Sequence, residues 1–259
     1  MRKKIIRDFK VCENLKLNDS FSLLILRPAT GEKLNVTVEP GQFVQIKIPE
    51  SVTTLRRPIS ICNYIEDNDE LWLLVRKAGK GTEVLCGIRE GAVLNLILPL
   101  GTGFKLPQSG EKILLAGGGA GMAPLLYSGK IFNAHGANVS FLLGARTAND
   151  IFLLEEYKKY GNTNISTENG SLGEAGLITF NSVLKEDFDM VYCCGPLPMM
   201  KAIAKICKTR AIECEVSLEN TMGCGIGACL CCVEKTTQGN KCVCTEGPVF
   251  NVNQLTWEI

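Results

Sequence analysis

The sequence predicts a multidomain β and α/β chain. An N-terminal antiparallel β-barrel is expected over residues 1–105, a central parallel α/β domain over 106–212 and a small cysteine-rich domain over 213–259. Three observations predict this. Short apolar runs separated by turn residues fill the first part, with no clear helix among them. After Pro107 strand-like and helix-like runs alternate. Beyond residue 212 helix signals fade, and six of the thirteen cysteines crowd between Cys224 and Cys244.

In the first part, residues 21–26, 42–48, 58–64, 71–75 and 93–98 have strand-like apolar content. Pro40-Gly41, Asp67-Asn68, Gly79 to Gly81 and Pro99 to Gly103 punctuate them. That spacing suits a small barrel or sandwich. In the central part, strands are expected at 112–116, 138–143, 165–167 and 190–193. Helices are expected at 122–133, 151–160, 177–185 and 198–208. Such alternation builds a parallel sheet with helical crossovers.

A net charge of +1 gives no field that draws the chain to nucleic acid or an anionic membrane. No apolar run is long enough to span a bilayer. Met1-Arg2-Lys3-Lys4 is a basic start, but Arg7, Asp8 and Lys10 interrupt any apolar signal core, so a cytoplasmic location is expected. In that setting, thirteen cysteines point to metal binding or redox work rather than disulfides.

Cys224-Gly-Ile-Gly-Ala-Cys229-Leu-Cys-Cys232 has the C-x4-C-x2-C spacing of a plant-type [2Fe–2S] cluster. Soft thiolates match iron. Gly223, Gly225, Gly227 and Ala228 let the backbone wrap tightly and aim N–H groups at sulfur. Cys232 is preferred to Cys231, which would place adjacent ligands in strained geometry. The fourth ligand is Cys242 or Cys244, and spacing does not decide between them. The competing reading is a zinc site, although zinc ribbons favour paired C-x2-C knuckles and only one is present.

Two weaker signals precede the cysteines. Arg57 opens a strand-like run through Pro58, Ile59 and Ser60, and an Arg can pair bidentately with a pyrophosphate. Gly81 and Thr82 can offer N–H groups to phosphate. Taken alone, Arg-Arg-Pro reads better as a solvated strand edge with a proline stop. Gly117-Gly118-Gly119-Ala-Gly121 joins a strand to a helix, and Cys194-Gly195-Pro196 ends a later strand. Both suit a dinucleotide at the carboxyl ends of a parallel sheet, though neither alone outweighs an ordinary turn. Arg146 is a candidate contact for an adenine ribose or 2′-phosphate, or simply a surface Arg. Residues 168–171 read as a turn with no assigned chemistry. His135, the sole histidine, reads as a helix C-terminal cap.

In this order the motifs resemble the ferredoxin–NADP reductase superfamily. The cysteine segment, with Cys244-Thr-Glu246-Gly247-Pro248-Val249-Phe250, narrows the resemblance to the electron transfer subunits of class B dihydroorotate dehydrogenases. The resemblance covers essentially the whole chain. It implies FAD at Arg57, Pro58, Ile59, Ser60, Leu74, Val75, Arg76, Gly81 and Thr82. It implies NAD at Gly117, Gly118, Gly119, Gly121, Cys194, Gly195 and Pro196. It selects Cys244 over Cys242 to complete Cys224, Cys229 and Cys232. It implies a separate FMN-containing catalytic subunit in a heterotetramer, a place in pyrimidine biosynthesis and no catalytic acid or base in this chain. The alternatives are the small subunit of another FAD/[2Fe–2S] oxidoreductase, of ferredoxin–NADP or sulfide dehydrogenase type, and a zinc or thiol redox sensor. Cys193, Cys231 and Cys242 receive no role.

Overall fold

A computed structural model of the chain describes residues 3–48 and 53–259, which leaves Met1 and Arg2 of the basic start outside it. The first domain is built from β1 (Ile5–Lys16), β2 (Phe21–Pro28), β3 (Phe43–Ile46), β4 (Arg57–Ser60), β5 (Asn63–Ile65), β6 (Glu70–Arg76), α1 (Lys80–Cys86) and β7 (Val93–Leu100). Its strands pair antiparallel in the order β4-β3-β7-β1-β2-β6-β5, and the sheet curls until β4 lies beside β6. Side chains alternate across each strand. On β3, Val44 and Ile46 point into the barrel with Phe9, Leu24, Leu73 and Leu96, while Phe43 joins a core outside it.

β1 escaped the sequence reading because only Phe9 and Val11 are buried, and Arg7, Asp8, Lys10 and Glu13 lie exposed between and around them. The expected 58–64 strand breaks at Ile61-Cys62 into β4 and β5. α1 was not expected at all. It starts at a glycine, and the Thr82 hydroxyl holds its first turn by accepting N–H bonds from Ala78 and Gly79.

The remaining elements are β8 (Lys112–Gly118), α2 (Ala123–Ala134), β9 (Asn138–Ala145), α3 (Leu154–Lys158), β10 (Asn162–Thr167), β11 (Glu174–Ala175), β12 (Met190–Cys194), α4 (Leu197–Thr209), β13 (Glu213–Ser217), β14 (Val233–Thr236), β15 (Gly239–Cys242), α5 (Val243–Glu246) and β16 (Val249–Asn251). The second sheet runs β11-β10-β9-β8-β12-β13-β16. It is parallel except for β16, which returns antiparallel against β13. Strand order reverses between β8 and β12, the crevice where such sheets bind ligands.

Two expected helices differ. The 151–160 helix shrinks to α3, because Leu153 takes a left-handed conformation just before it. The 177–185 helix is two 3-10 turns, because Asn181 between them is extended and its side chain accepts the Val183 N–H. The second sheet also continues past residue 212, so a domain boundary there falls between α4 and a strand of the same sheet. His135 caps α2 as expected.

The domains are firmly joined. The Tyr127 hydroxyl of α2 donates to the Val38 carbonyl (3.2 Å), and Lys130 donates to the Tyr64 carbonyl (2.9 Å). Phe21 of the barrel packs on Phe152, with ring centroids 4.8 Å apart. The cysteine-rich tail is tied to the barrel by the Thr102 N–H, which donates to the Gly247 carbonyl.

Within the central domain, α2 approaches the sheet closely at Gly129, where a Cβ would sit 2.1 Å from Phe141 Cζ. Gly129→Ala is expected to lower stability by about 1–3 kcal/mol through overpacking. Urea unfolding checks this as a lower midpoint at unchanged slope.

Candidate functional site

The cysteine loop leaves Met222 and closes at Cys232, with Gly225 and Gly227 in the left-handed region at φ +72° and +84°. That backbone turns successive N–H groups inward. Those of Ile226, Ala228 and Cys229 point at Cys224 Sγ, at 3.4, 3.3 and 3.4 Å. Cys224 N–H donates to Cys229 Sγ (3.4 Å), Gly227 N–H to Cys244 Sγ (3.2 Å) and Cys244 N–H to Cys232 Sγ (3.4 Å). Four sulfurs thus accept backbone N–H groups, and they are the expected four. Cys231 is exposed, and Cys242 lies in the β15 hairpin strand, its own N–H held by the Glu246 carboxylate.

Among the described residues, no three His, Cys, Asp or Glu side chains surround one single-ion position. The sulfurs come together as two pairs, Cys224 with Cys229 and Cys232 with Cys244. Two thiolate pairs suit the two irons of a [2Fe–2S] cluster. Burial raises the Cys224 thiol, but N–H donors from Ile226, Cys229 and Ala228, with the Cys229 side chain, outweigh it and pull it down to about 6. Burial, then the neighbouring Cys232, push Cys244 up to about 12. Metal binding there displaces a proton, since iron is held by thiolate.

The flavin candidates divide. Arg57 lies against Gly81, where a Cβ would meet its Nε at 2.6 Å. Two motifs far apart in sequence therefore form one cationic, close-approach surface suited to a pyrophosphate. Arg56 is occupied elsewhere, donating to the carbonyls of Gln45 and Asn95. Pro58 and Ser60 are half-buried on β4, opposite Gln45 and Phe43 of β3. Ile59 packs against the barrel core. Val75 is buried inside the barrel and Leu74 faces the central domain, so these two can offer only main chain to a ring. β5 pairs β6 only at Glu70–Trp72, and β4 lies beside β6 without a ladder to it among the described residues, which leaves main-chain groups of β6 beyond Trp72 unpaired by a strand on that side. Arg76 points instead to the nucleotide crevice.

That crevice is a cavity of about 610 Å³ at the carboxyl ends of β8, β9, β10 and β12. Gly118, Gly119 and Pro196 line it, with Arg146 and Glu168 in its wall. Gly117, Gly121 and Cys194 sit behind the lining. A Cβ on Gly121 would meet the Cys194 carbonyl oxygen at 2.4 Å, so this glycine serves the approach of two loops. Gly195, at φ +152°, packs against Met199 and Gly118. The Cys194 thiol is buried, which pushes its pKa well up. Cys193 is likewise raised by burial and packs in the apolar core. The sequence reading missed Glu168. An acidic residue ending the third strand was the available signal, hidden in a segment read as a turn.

The fold and this site define an oxidoreductase of the ferredoxin–NADP reductase type with an added iron–sulfur domain. Residues 219–256 match the family described as the iron–sulfur cluster binding domain of dihydroorotate dehydrogenase B. A dihydroorotate dehydrogenase B (NAD(+)) electron transfer subunit of Shouchella clausii is 38% identical, covering 98% of this chain and 99% of its own. One of Clostridium acetobutylicum is 38% identical, with 95% of each chain covered. The NADH-dependent reduced ferredoxin–NADP oxidoreductase has a chain that superposes with a TM-score of 0.87 at 26% identity, covering 96% of this chain and 90% of that one. The chain belongs to the family of dihydroorotate dehydrogenase B (NAD(+)) electron transfer subunits. Fold and family together support FAD and a [2Fe–2S] cluster as its cofactors and NAD as its substrate. Membership in a family of electron transfer subunits implies a separate catalytic partner.

The donor pattern makes a ligand prediction. Cys244→Ser is expected to lose the cluster, whereas Cys242→Ser and Cys231→Ser keep it. Iron, labile sulfide and visible absorption of anaerobically purified variants check this, and a fully loaded Cys244→Ser protein contradicts it.

Proposed function

We propose that this chain carries electrons from a separate, FMN-containing, dihydroorotate-oxidising subunit to NAD⁺ in pyrimidine biosynthesis. The two would form a heterotetramer in the cytoplasm. The observation that carries the reading is the set of four sulfurs, each facing a backbone N–H, in the same chain as a flavin-reductase fold. When bound, the cluster passes single electrons, and FAD pools two for hydride transfer to the nicotinamide.

The chain's own residues hold and tune. Cys224, Cys229, Cys232 and Cys244 ligate iron, and the loop N–H groups offset thiolate charge. The Arg57 guanidinium and the Gly81-Thr82 main chain would hold the FAD pyrophosphate, with Pro58 and Ser60 of the same strand available to the flavin. Gly118, Gly119 and Pro196 let the nicotinamide nucleotide lie close to the sheet, and Gly117, Gly121, Cys194 and Gly195 shape that floor. Two electrons arriving through the cluster become a hydride only with the uptake of one proton, which solvent would supply, and no side chain of this chain is assigned to carry it. Ile226 and Leu230 are exposed beside the cysteines and supply an apolar face over the cluster where the catalytic subunit docks.

Glu168 favours NAD over NADP. Its carboxylate in the cavity wall accepts from ribose hydroxyls and repels a 2′-phosphate, against the opposite pull of Arg146. Glu168→Gln is expected to reduce the NADH-over-NADPH preference in kcat/KM by about tenfold, equivalent to one charged hydrogen bond of ~1.5 kcal/mol. An unchanged ratio removes Glu168 from this role.

The alternative is a subunit of another oxidoreductase of this architecture, and the TM-score of 0.87 to the ferredoxin–NADP oxidoreductase chain favours it. The 38% identity to dihydroorotate dehydrogenase subunits weighs more. Co-purification with the candidate catalytic subunit, followed by assay of dihydroorotate-dependent NAD⁺ reduction, tests the reading. Activity that requires both chains supports it, and a mixed complex that oxidises dihydroorotate without reducing NAD⁺ contradicts it.

A further inference from the structure

The outward face of β3 meets the cysteine loop through Phe43 and Gln45. Phe43 shares its apolar core with Cys232 and Cys244. Gln45 is different. It is fully buried, with a relative exposure of 0%, and among the described residues neither its Nε2 nor its Oε1 has a hydrogen-bond partner. Leaving a buried polar group unpaired costs about 1–3 kcal/mol, and nearly all such groups in folded proteins find a partner. A leucine or methionine would fill the same space without that penalty, so the amide calls for a partner that the described residues do not supply.

The geometry says where. A Cβ on Gly225 would lie 2.6 Å from Gln45 Cγ and 2.9 Å from its Nε2. The amide group therefore lies against the turn between Cys224 and Ile226, and because no partner among the described residues fixes its orientation it is free to turn its NH₂ toward that loop. This turn already directs three N–H groups at Cys224 Sγ. Gly225 can therefore carry no side chain, both for space and for its positive φ. Across β3, Gln45 stands opposite Pro58 of the flavin motif, and its carbonyl accepts from Arg56.

We propose that Gln45 is a positioning residue for the iron–sulfur cluster. Its side-chain amide donates a hydrogen bond to a cluster sulfur on the Cys224 side, and the barrel strand beside the flavin motif thereby helps set the cluster's potential. This rests on the reading of the four cysteines as its ligands. Donation to sulfur stabilises the reduced cluster, which carries one more negative charge, and so raises the potential.

Gln45→Met keeps length and volume and removes the donor. It is expected to retain iron and labile sulfide and to keep the FAD potential. The cluster potential, followed by EPR during an anaerobic titration, is expected to fall by about tenfold in the one-electron equilibrium, ~59 mV. A second readout needs no variant. In parent protein made cell-free with glutamine labelled with ¹⁵N at the amide, pulsed EPR of the reduced cluster is expected to show coupling to that nitrogen. If the variant loses its iron, this coupling decides alone. A loaded parent without the coupling, or a loaded Gln45→Met protein with an unchanged cluster potential, overturns the role of Gln45 and leaves the cluster intact. A parent without iron and sulfide overturns the cluster reading, and this proposal with it.

Discussion

Thiolates packed into one small volume repel one another, and only nearby positive charge or donated hydrogen bonds make their grouping tolerable. Here the donors are main-chain N–H groups of the 224–229 turn, with those of Gly227 and Cys244 reaching the second sulfur pair. Hydrogen bonds to a charged acceptor are roughly twice as strong as neutral ones. The turn can be built only with left-handed backbone at Gly225 and Gly227, where a side chain would also strike Gln45 or crowd Thr245. The loop's shape, its seat on the barrel and the grouping of the four sulfurs that accept N–H bonds are one constraint seen from three sides.

That seat explains why three folding units behave as one. The barrel offers the outer face of β3, with Phe43 and Gln45, to the cysteine-rich tail. The tail then returns to the central sheet as β16. α2 of the central domain is bound back to the barrel through Tyr127 and Lys130. Arg57 against Gly81 fixes the surface proposed to hold a pyrophosphate on this frame, and the crevice at the strand ends of the central sheet opens at its other side, lined in part by the barrel's Phe21 and Arg76. A rigid frame suits an electron carrier, which needs fixed separations between centres rather than moving catalytic groups.

How much of this was legible in the sequence followed from how local each signal is. The barrel strands were bracketed by Pro and Gly turns, and the C-x4-C-x2-C spacing carries its own chemistry, so both could be read directly. β1 was hidden because its exposed positions are charged. β13 is masked by Glu213 and Glu215 alternating with its buried positions, β16 has only three residues, and both take their place in the sheet only through pairing. Spacing leaves the fourth cysteine undecided because Cys242 and Cys244 lie two residues apart, and only the fold puts one in the hairpin and buries the other in α5 beside Cys232. Gln45 and Glu168 were not legible, since each acquires meaning from groups distant in the chain: a turn of the cysteine loop for one, the mouth of a parallel sheet for the other.

The central claim is that nicotinamide site, flavin and cluster form one electron path inside this chain. Anaerobic mixing of the purified, loaded chain with NADH, followed by flavin absorbance and freeze-quench EPR, tests it most directly. The account predicts that the flavin bleaches and the reduced-cluster signal then appears without the catalytic subunit. Flavin bleaching with a cluster that stays oxidised until dithionite is added would contradict it.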